Sequence, residues 1–373
     1  MENIPFLIFS LLSINNASLK GYNDFFIDYI DLKNTFSVKG IFVWMIIFKH
    51  YSGYFKRKNL YIYEIIVRHL DQRVVSMFLF YSGYGIYESI KIKGNKYSKS
   101  LLTKSLIIFI KSELMILIFV LRSIIYRKEI TIKDYILSSF FFSTIDNDIW
   151  FTYTIILFYI YAFFSFTFIK NKKHNYLGII FITIICILHG YFTYFFYLKK
   201  QRVGVDNILP FILGFCYSGI RKYTDKYIMK YDFSYFGILT FFYLIYCYFY
   251  VNRYKSIFIH ILMNGTFCII VVLMNMKVKF DNEFLKFLNV HSYSIYLLQR
   301  VILTTFDEKK YLEEYECLRV FLQIILIILI ASTFDYSTSF IDKYFKRVDK
   351  RLEPKKHIDL VGESNRNIII KKY

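Results

Sequence analysis

Only three prolines interrupt the 373 residues, and no low-complexity stretch separates one part of the chain from another. Long apolar runs therefore follow one another with little punctuation, and nothing reads as a linker between soluble domains. Charge is also scarce. Asp, Glu, Lys and Arg make up 20% of the residues, against 56% hydrophobic and 21% aromatic, with a mean hydropathy of +0.39. A soluble domain of this length cannot bury so much apolar surface in one core. The chain has no Walker loop, no GxGxxG and no GxSxG elbow, so the common soluble nucleotide-binding and hydrolase motifs are excluded. No internal repeat stands out, which argues against an inverted-repeat transporter. The five cysteines (Cys186, Cys216, Cys247, Cys268 and Cys317) form no CxxC or metal-ligand spacing, and four lie in apolar runs. They read as buried free thiols, and no metal site is indicated.

What is present describes an all-α, polytopic integral membrane bundle of about ten transmembrane helices. A span needs roughly 20 mostly apolar residues. The segments 38–55, 74–90, 105–124, 149–169, 177–197, 207–220, 234–251, 256–276, 287–303 and 318–340 meet that need. The weakest is 207–220, which is short and contains Pro210. Residues 4–14 and 135–145 are apolar but too short to span. The first lacks the positive n-region of a signal peptide and reads as an uncleaved segment dipping into the membrane. The second reads as a re-entrant or interfacial helix beside the turn Asp146-Asn147-Asp148. The chain thus divides into a lead-in (1–37), a transmembrane domain (38–340) and a basic tail (341–373).

Lys and Arg outnumber Asp and Glu by 48 to 28. The excess sits in short clusters between apolar runs, such as Lys170, Lys172, Lys173 and Lys199, Lys200, Arg202. That pattern belongs to inter-helix loops at an anionic lipid surface, not to nucleic-acid binding. The tail carries ten basic residues, whereas the loop 304–317 before the last apolar run holds Asp307, Glu308, Glu313, Glu314 and Glu316. The positive-inside rule places the C-terminus in the cytoplasm of a multi-pass cell-membrane protein. Counting back through ten spans puts Val38 and the basic loops 91–104 and 221–233 on the same side. The loop 56–73, with Lys56, Arg57, Lys58, Arg68 and Arg73, is the one that conflicts.

Ionisable groups inside apolar runs are expensive and are functional candidates by default. Lys39 and His50 lie eleven residues apart in the first run. On a helix that separation returns to nearly the same face, with a rise of about 16 Å. Histidine suits general-base chemistry near neutral pH. The structural alternative is that Lys39 snorkels to the interface and His50 caps the far end beside Lys49. Among other intramembrane groups, His189 and His260 suggest hydrogen bonding inside the bundle, and Glu113 suggests a charge pair with Lys111 or another helix. Asn207 reads either as a helix N-cap or as a residue facing a substrate cavity.

Several of these residues fall into an ordered set. Lys39-Gly40-Ile41 opens the first run and His50 ends it. Ser82-Gly83-Tyr84 lies in the second and is followed by Lys96, Lys99 and Lys104. Trp150-Phe151 comes next with Tyr159, then Pro210-Phe211 with Leu213-Gly214. Ser292-Tyr293-Ser294-Ile295-Tyr296-Leu297-Leu298 stands near the end. Together these resemble, in order and over most of 35–340, the motifs of the acyltransferase-3 family, membrane O-acyltransferases that modify cell-surface polysaccharides. The chain departs from the family where Lys39 replaces the usual arginine, keeping the charge but losing the bidentate fork. It departs again at Gln299, where members often have histidine, which removes an acid/base role there.

The resemblance implies an enzyme that moves an acyl group, expected to be acetyl, from acetyl-CoA or another acyl-CoA to hydroxyls of a carbohydrate acceptor. The acceptor would be a capsule, an exopolysaccharide or a lipid-linked glycan, with the lipid bilayer as surroundings and no metal required. It implies His50 as base and Lys39 as a partner for donor phosphates or developing negative charge. Trp150, Ser82, Tyr159, Asn207 and Tyr296 are the further substrate-binding candidates. For Trp150 an interface anchor, and for Ser82 and Gly83 close helix packing, are the competing structural roles. The alternative from another class is a polysaccharide flippase or polymerase, which leaves the Lys39/His50 spacing unexplained.

Overall fold

The computed structural model describes residues 4–52, 69, 73–127, 130–139, 150–169, 171, 174–197, 205–308 and 315–351. The basic clusters at Lys170–Lys173 (except Asn171) and Lys199–Arg202, the turn Asp146–Asp148, the loop 56–73 apart from His69 and Arg73, residues 309–314 with Glu313 and Glu314, and the tail beyond Arg351 lie outside that set.

Among the described residues there are thirteen α-helices and one two-stranded ribbon. In chain order they are α1 (Ile4–Ile14), β1 (Ala17–Leu19), α2 (Leu32–Ser52), α3 (Arg73–Lys93), α4 (Asn95–Ile125), α5 (Ile132–Ser139), α6 (Trp150–Thr167) and α7 (Asn175–Phe192). There follow α8 (Ile208–Ile228), α9 (Asp232–Asn252), α10 (Ile257–Lys277), β2 (Val278–Phe280), α11 (Glu283–Val290), α12 (Ser292–Glu308) and α13 (Glu316–Arg351). A helix satisfies its own backbone hydrogen bonds, so an apolar chain of this kind folds as helices where no water is present.

Nine of the ten expected spans fall on single helices within the described residues, whereas 287–303 is divided at His291 between α11 and α12; only five helices are long and apolar enough to cross a membrane on that basis. These are α6, α7 with its π-helical continuation to Phe195, α9, α10 and the stretch Leu318–Val348 of α13. Their outer surfaces are apolar. Only 11% of the apolar window of α9 is buried within the protein, and Phe236, Phe241, Tyr243 and Leu244 stand exposed on it. Side chains of this kind in such number need lipid against them. The other five expected spans, α2, α3, α4, α8 and α12, carry more charged residues, Lys39 and Lys49 in α2 among them, and the structure supports five spans where the sequence suggested about ten.

The segment around Pro210 is longer than expected, running to Ile228. Pro210 sits in the first turn of α8, where a backbone N–H would lack a helical partner in any case, so the helix is not broken. The short apolar stretch after 131 forms α5, which ends at Ser139 within the described residues. Cys186 and Cys268 are buried free thiols, as expected, whereas Cys216 and Cys247 are free but only half-buried.

Glycine sets how closely the inner helices approach. A Cβ at Gly83 of α3 would strike the Phe211 carbonyl of α8, and one at Gly214 of α8 would strike the Phe80 carbonyl of α3. The two backbones therefore meet directly, in the manner of small-residue helix contacts in membranes. Gly40 does the same for α2 against the Leu285 carbonyl of α11. Around the α3/α8 crossing the core is aromatic: Phe158 stacks on Phe211 at 4.4 Å and Phe166 on Phe215 at 5.6 Å, tying α6 to α8.

Residues 17–31 form a strap across one end of the bundle. β1 pairs antiparallel with β2, Ala17 opposite Phe280. Buried Lys277 pairs with Asp232 at 2.6 Å and donates to the Gly21 carbonyl at 2.8 Å. The Asn23 and Asp232 side chains each accept from the other's backbone N–H, at 2.8 and 3.0 Å. Tyr29 contacts the Tyr217 hydroxyl and donates to Asp225 of α8 at 2.7 Å. Lys279 donates to Asp28 at 2.8 Å and holds that carboxyl below the usual carboxylate range. This tie is therefore present at neutral pH and is lost as pH falls through the lowered value. The strap fixes where α2 begins, and hence where Lys39 stands.

The glycine contacts generate a prediction. Gly83→Ala or Gly214→Ala should destabilise the protein by about 1–3 kcal/mol or more, because the obstructing atom is backbone and cannot rotate away. Gly85→Ala, with nothing within 4 Å of the added carbon, should be neutral or slightly stabilising. Thermal unfolding of the detergent-solubilised variants, with abundance in membranes, checks both; equal behaviour of Gly83→Ala and Gly85→Ala would contradict the packing argument.

Candidate active site

A cavity of about 220 Å³ opens between α2, α3, α6 and the α11/α12 pair. Four residues singled out in the sequence line it: Lys39, Ser82, Tyr159 and Tyr296. The rest of its wall is largely aromatic, with Phe78, Tyr81, Phe151 and Tyr293, and no lining residue is acidic. Lys39 reaches it from α2 with its ammonium 5.3 Å from the Phe36 ring centroid and 5.8 Å from that of Tyr81. Among the described residues Lys39 has no hydrogen bond or ion pair. Other basic side chains inside the helices have polar partners: Lys111 pairs with Asp342 at 2.8 Å and Arg122 with Glu308 at 2.7 Å, Lys104 donates to the Tyr97 hydroxyl at 2.7 Å, and buried Arg73 donates to the His69 carbonyl. A cation held against aromatic faces, without a counter-ion, is suited to receiving an anion.

The hydroxyl of Ser82 donates to that of Tyr159 at 3.3 Å, joining α3 to α6 across the cavity wall. Gly83, beside Ser82, makes the close contact with α8, so this short motif both packs and faces the cavity. Tyr296 of α12 packs edge-on against Phe151 at 5.1 Å and against His50 at 6.4 Å. His50 thus lies one ring behind the cavity surface, one turn beyond Ile46, which lines the cavity from the same helix. Lys39, Ile46 and His50 follow the face that the eleven-residue spacing predicts.

Two of the expected substrate contacts stand elsewhere. Trp150 does not line the cavity; it packs edge-on against Phe151, which does, at 6.1 Å. Asn207 belongs to a separate, fully buried polar cluster. It occupies the N-cap position of α8 but makes no side-chain cap bond. Its carboxamide instead accepts from the Ser76 hydroxyl at 2.5 Å and donates to Asp206 at 3.0 Å. In the same cluster Asn264 donates to the Asp206 carbonyl at 3.1 Å, and His260 Nδ1 lies 3.3 Å from the Asp206 carboxylate. Neither sequence alternative for Asn207 describes this role, because Asp206 is supplied by the neighbouring residue and Ser76 by a helix 131 residues away.

Other polar groups found partners that spacing did not reveal. Glu113 accepts from Ser139 at 2.7 Å and Tyr135 at 3.4 Å of α5, in place of an ion pair with Lys111. His189 is hydrogen-bonded inside the bundle as expected, 3.1 Å from the Tyr161 hydroxyl. Gln299 is fully buried, donates to the Tyr296 carbonyl at 3.0 Å and is not a cavity residue. Sequence reasoning overlooked Asn289, which lines the cavity, and the pair His291 and Asp335 beside it. The only signal for His291 was its place immediately before the Ser292-Tyr293-Ser294 run. Among the described residues no group of three or more His, Cys, Asp or Glu could hold a metal ion.

The arrangement combines a cation facing an apolar, aromatic cavity with an imidazole at the far end of the same helix. It can bind an anion at one end and remove a proton near the other. In comparisons with known proteins, the family model of the acyltransferase domain matches residues 27–335, a range that contains α2–α12, every lining residue of the cavity and His50. No curated protein and no solved structure matches the chain. A match over most of the chain sets aside the flippase or polymerase alternative and establishes acyltransferase chemistry in a membrane setting: the chain belongs to the acyltransferase-3 family.

Proposed function

We propose that this membrane acyltransferase transfers an acyl group, most simply acetyl, from an acyl-CoA thioester to a hydroxyl of a cell-surface polysaccharide or its lipid-linked precursor. The observation that carries the reading is Lys39, a cation without an ion-pair partner among the described residues, facing a cavity with no acidic wall residue. A phosphate-bearing donor satisfies that charge. The aromatic walls suit the apolar faces of a sugar ring, and the modest volume favours a short acyl chain.

In this mechanism the acceptor oxygen attacks the thioester carbonyl carbon while His50 takes the hydroxyl proton. The carbon–sulfur bond breaks, the thiolate leaves and takes up a proton, and the new ester remains on the sugar. The rise of about 16 Å between Lys39 and His50 divides their labour. Side chains on a helix lean toward its N-terminus, so Lys39 leans away from His50 and the two do not share one carbonyl. Lys39 therefore serves the donor phosphates, and His50 the reacting hydroxyl. The face with the strap gathers Lys91 and Lys93 at the end of α3, Lys222 and Lys226 near the end of α8, and Lys230 before α9. This basic face is the cytoplasmic one in the proposal, with the C-terminal tail on the same side. The five more polar helices then cross with the five apolar ones, their charges turned inward.

The decisive test separates surface chemistry from polymer supply. His50→Ala should lower O-acylation by about 10²–10⁴-fold, the range expected for a lost general base, with the polymer itself still present. NMR of surface glycans from strains with equal amounts of membrane protein measures it. His174, exposed ahead of α7, is the matched control; His69, stacked on Tyr250 at 4.1 Å, has a structural part and is not. Wild-type acylation in the His50→Ala strain would remove the catalytic assignment.

Donor binding gives a second, independent expectation. Lys39→Ala should weaken acyl-CoA binding to the solubilised protein more than Lys39→Arg, which keeps the charge. Equal affinities would leave Lys39 as an interfacial anchor. A reporter fused after Tyr373 should lie on the cytoplasmic side and one inserted near Glu313 outside; the same side for both would refute the orientation.

A further inference from the structure

A carboxylate inside an apolar helix is expensive and is retained for a reason. Asp335 lies within the apolar stretch Leu318–Val348 of α13, yet both of its oxygens are engaged by the joint between α11 and α12. His291 Nδ1, in the single residue between the two helices, donates to Asp335 Oδ2 at 2.7 Å. The Ser294 hydroxyl, in the first turn of α12, donates to Oδ1 at 2.5 Å. These are charge-assisted bonds to a largely sheltered acceptor. The joint they hold is part of the cavity wall: Asn289 precedes it, and Ser292, Tyr293 and Tyr296 follow it, all four lining the cavity. Tyr293 is fixed from the opposite side, its hydroxyl donating to the Ile108 carbonyl of α4 at 3.2 Å. One turn further on, Tyr296 carries the ring that packs against His50.

We infer that Asp335 is a positioning residue for the active site, acting through His291 and Ser294 to fix the α11/α12 joint and thereby the cavity wall and the ring in contact with His50. The kinetic part of the inference rests on the acyl-transfer reading; the placement of the joint does not. Asp335→Asn keeps the size of the side chain but leaves an amide nitrogen where one of the two donors needs an acceptor. Releasing that donor frees the wall without opening a cavity in α13.

The test uses the full chain in lipid nanodiscs, with two readouts. The first is the rate of maleimide labelling at an introduced Ser292→Cys thiol, followed peptide by peptide so that native cysteines do not interfere. Asp335→Asn should raise that rate severalfold at unchanged thermal midpoint. The second is steady-state acyl transfer, where Asp335→Asn should change kcat or the donor KM by about tenfold, the equivalent of one charge-assisted hydrogen bond. Ser294→Ala should move both readouts in the same direction and less. Asp342→Asn, which removes a carboxylate from the same helix away from this joint, should move neither. Labelling and kinetics at wild-type values in Asp335→Asn, or changes appearing only with a lowered thermal midpoint, would overturn the inference. If the wild-type protein shows no acyl transfer, the proposed reaction fails while the labelling result still decides the role of Asp335.

Discussion

The direct backbone contact between α3 and α8 governs the rest of the bundle. Gly83 and Gly214 bring the Phe211 and Phe80 carbonyls within reach of the facing helix. In a bilayer no hydrophobic force distinguishes one apolar helix from its lipid neighbours, so close van der Waals contact of this kind is what selects a partner. Once α3 is seated on α8, the residues beside Gly83 have no choice of direction. Ser82 meets Tyr159 of α6 and Tyr81 meets the Lys39 ammonium of α2. The cavity is what remains between helices whose spacing the glycines have already determined.

Charge inside the bundle follows a second constraint. Lys277 with Asp232, Lys111 with Asp342 and Arg122 with Glu308 pair across elements, and Asp335 is met by two donors. Breaking such a pair where water is excluded leaves a costly residual charge. Against this background Lys39 differs in kind: it faces a cavity with no acidic wall residue, and among the described residues it has only aromatic faces for company. A position of this sort makes energetic sense if its counter-charge arrives with a ligand, which ties the electrostatics of the fold to turnover instead of to stability.

How much of this was legible in the sequence depends on the range of the interaction involved. Helix positions were legible because hydropathy is a local property, and four of the residues the ordered motifs singled out, Lys39, Ser82, Tyr159 and Tyr296, line one cavity in the structure. The number of membrane-crossing helices was less so, since α2, α3, α4, α8 and α12 hold polar residues whose acceptability depends on what they face. Partners were least legible. Asn207 was readable as a cap or a ligand contact, yet its environment comes from Ser76 and Asp206 in a cluster completed by α10. Glu113 had a basic neighbour two residues away and instead bonds to α5. His291 and Asp335 are separated by 44 residues, and neither belongs to a pattern that periodicity can detect. Sequence spacing describes one helix face well and is silent on which face it meets.

Placing Lys39 and His50 on one helix has a mechanical consequence. If the proposed donor anchor and base stood on different helices, each relative movement of those helices would change their separation. On α2 the separation is set by helical rise alone, and α2 is itself held at one end by the strap and beside Lys39 by the Gly40 contact with α11. The distance between Lys39 and His50 is therefore the most rigid quantity in the candidate site. What can still vary is the opposite wall, built from Asn289, Ser292, Tyr293 and Tyr296 around the α11/α12 joint. In the proposed mechanism, a fixed ruler on one side and an adjustable wall on the other let acceptor fit change without disturbing the spacing assigned to the donor. Differences in acceptor among chains built on this plan should accordingly concentrate in the residues that set the joint, and spare the spacing from Lys39 to His50.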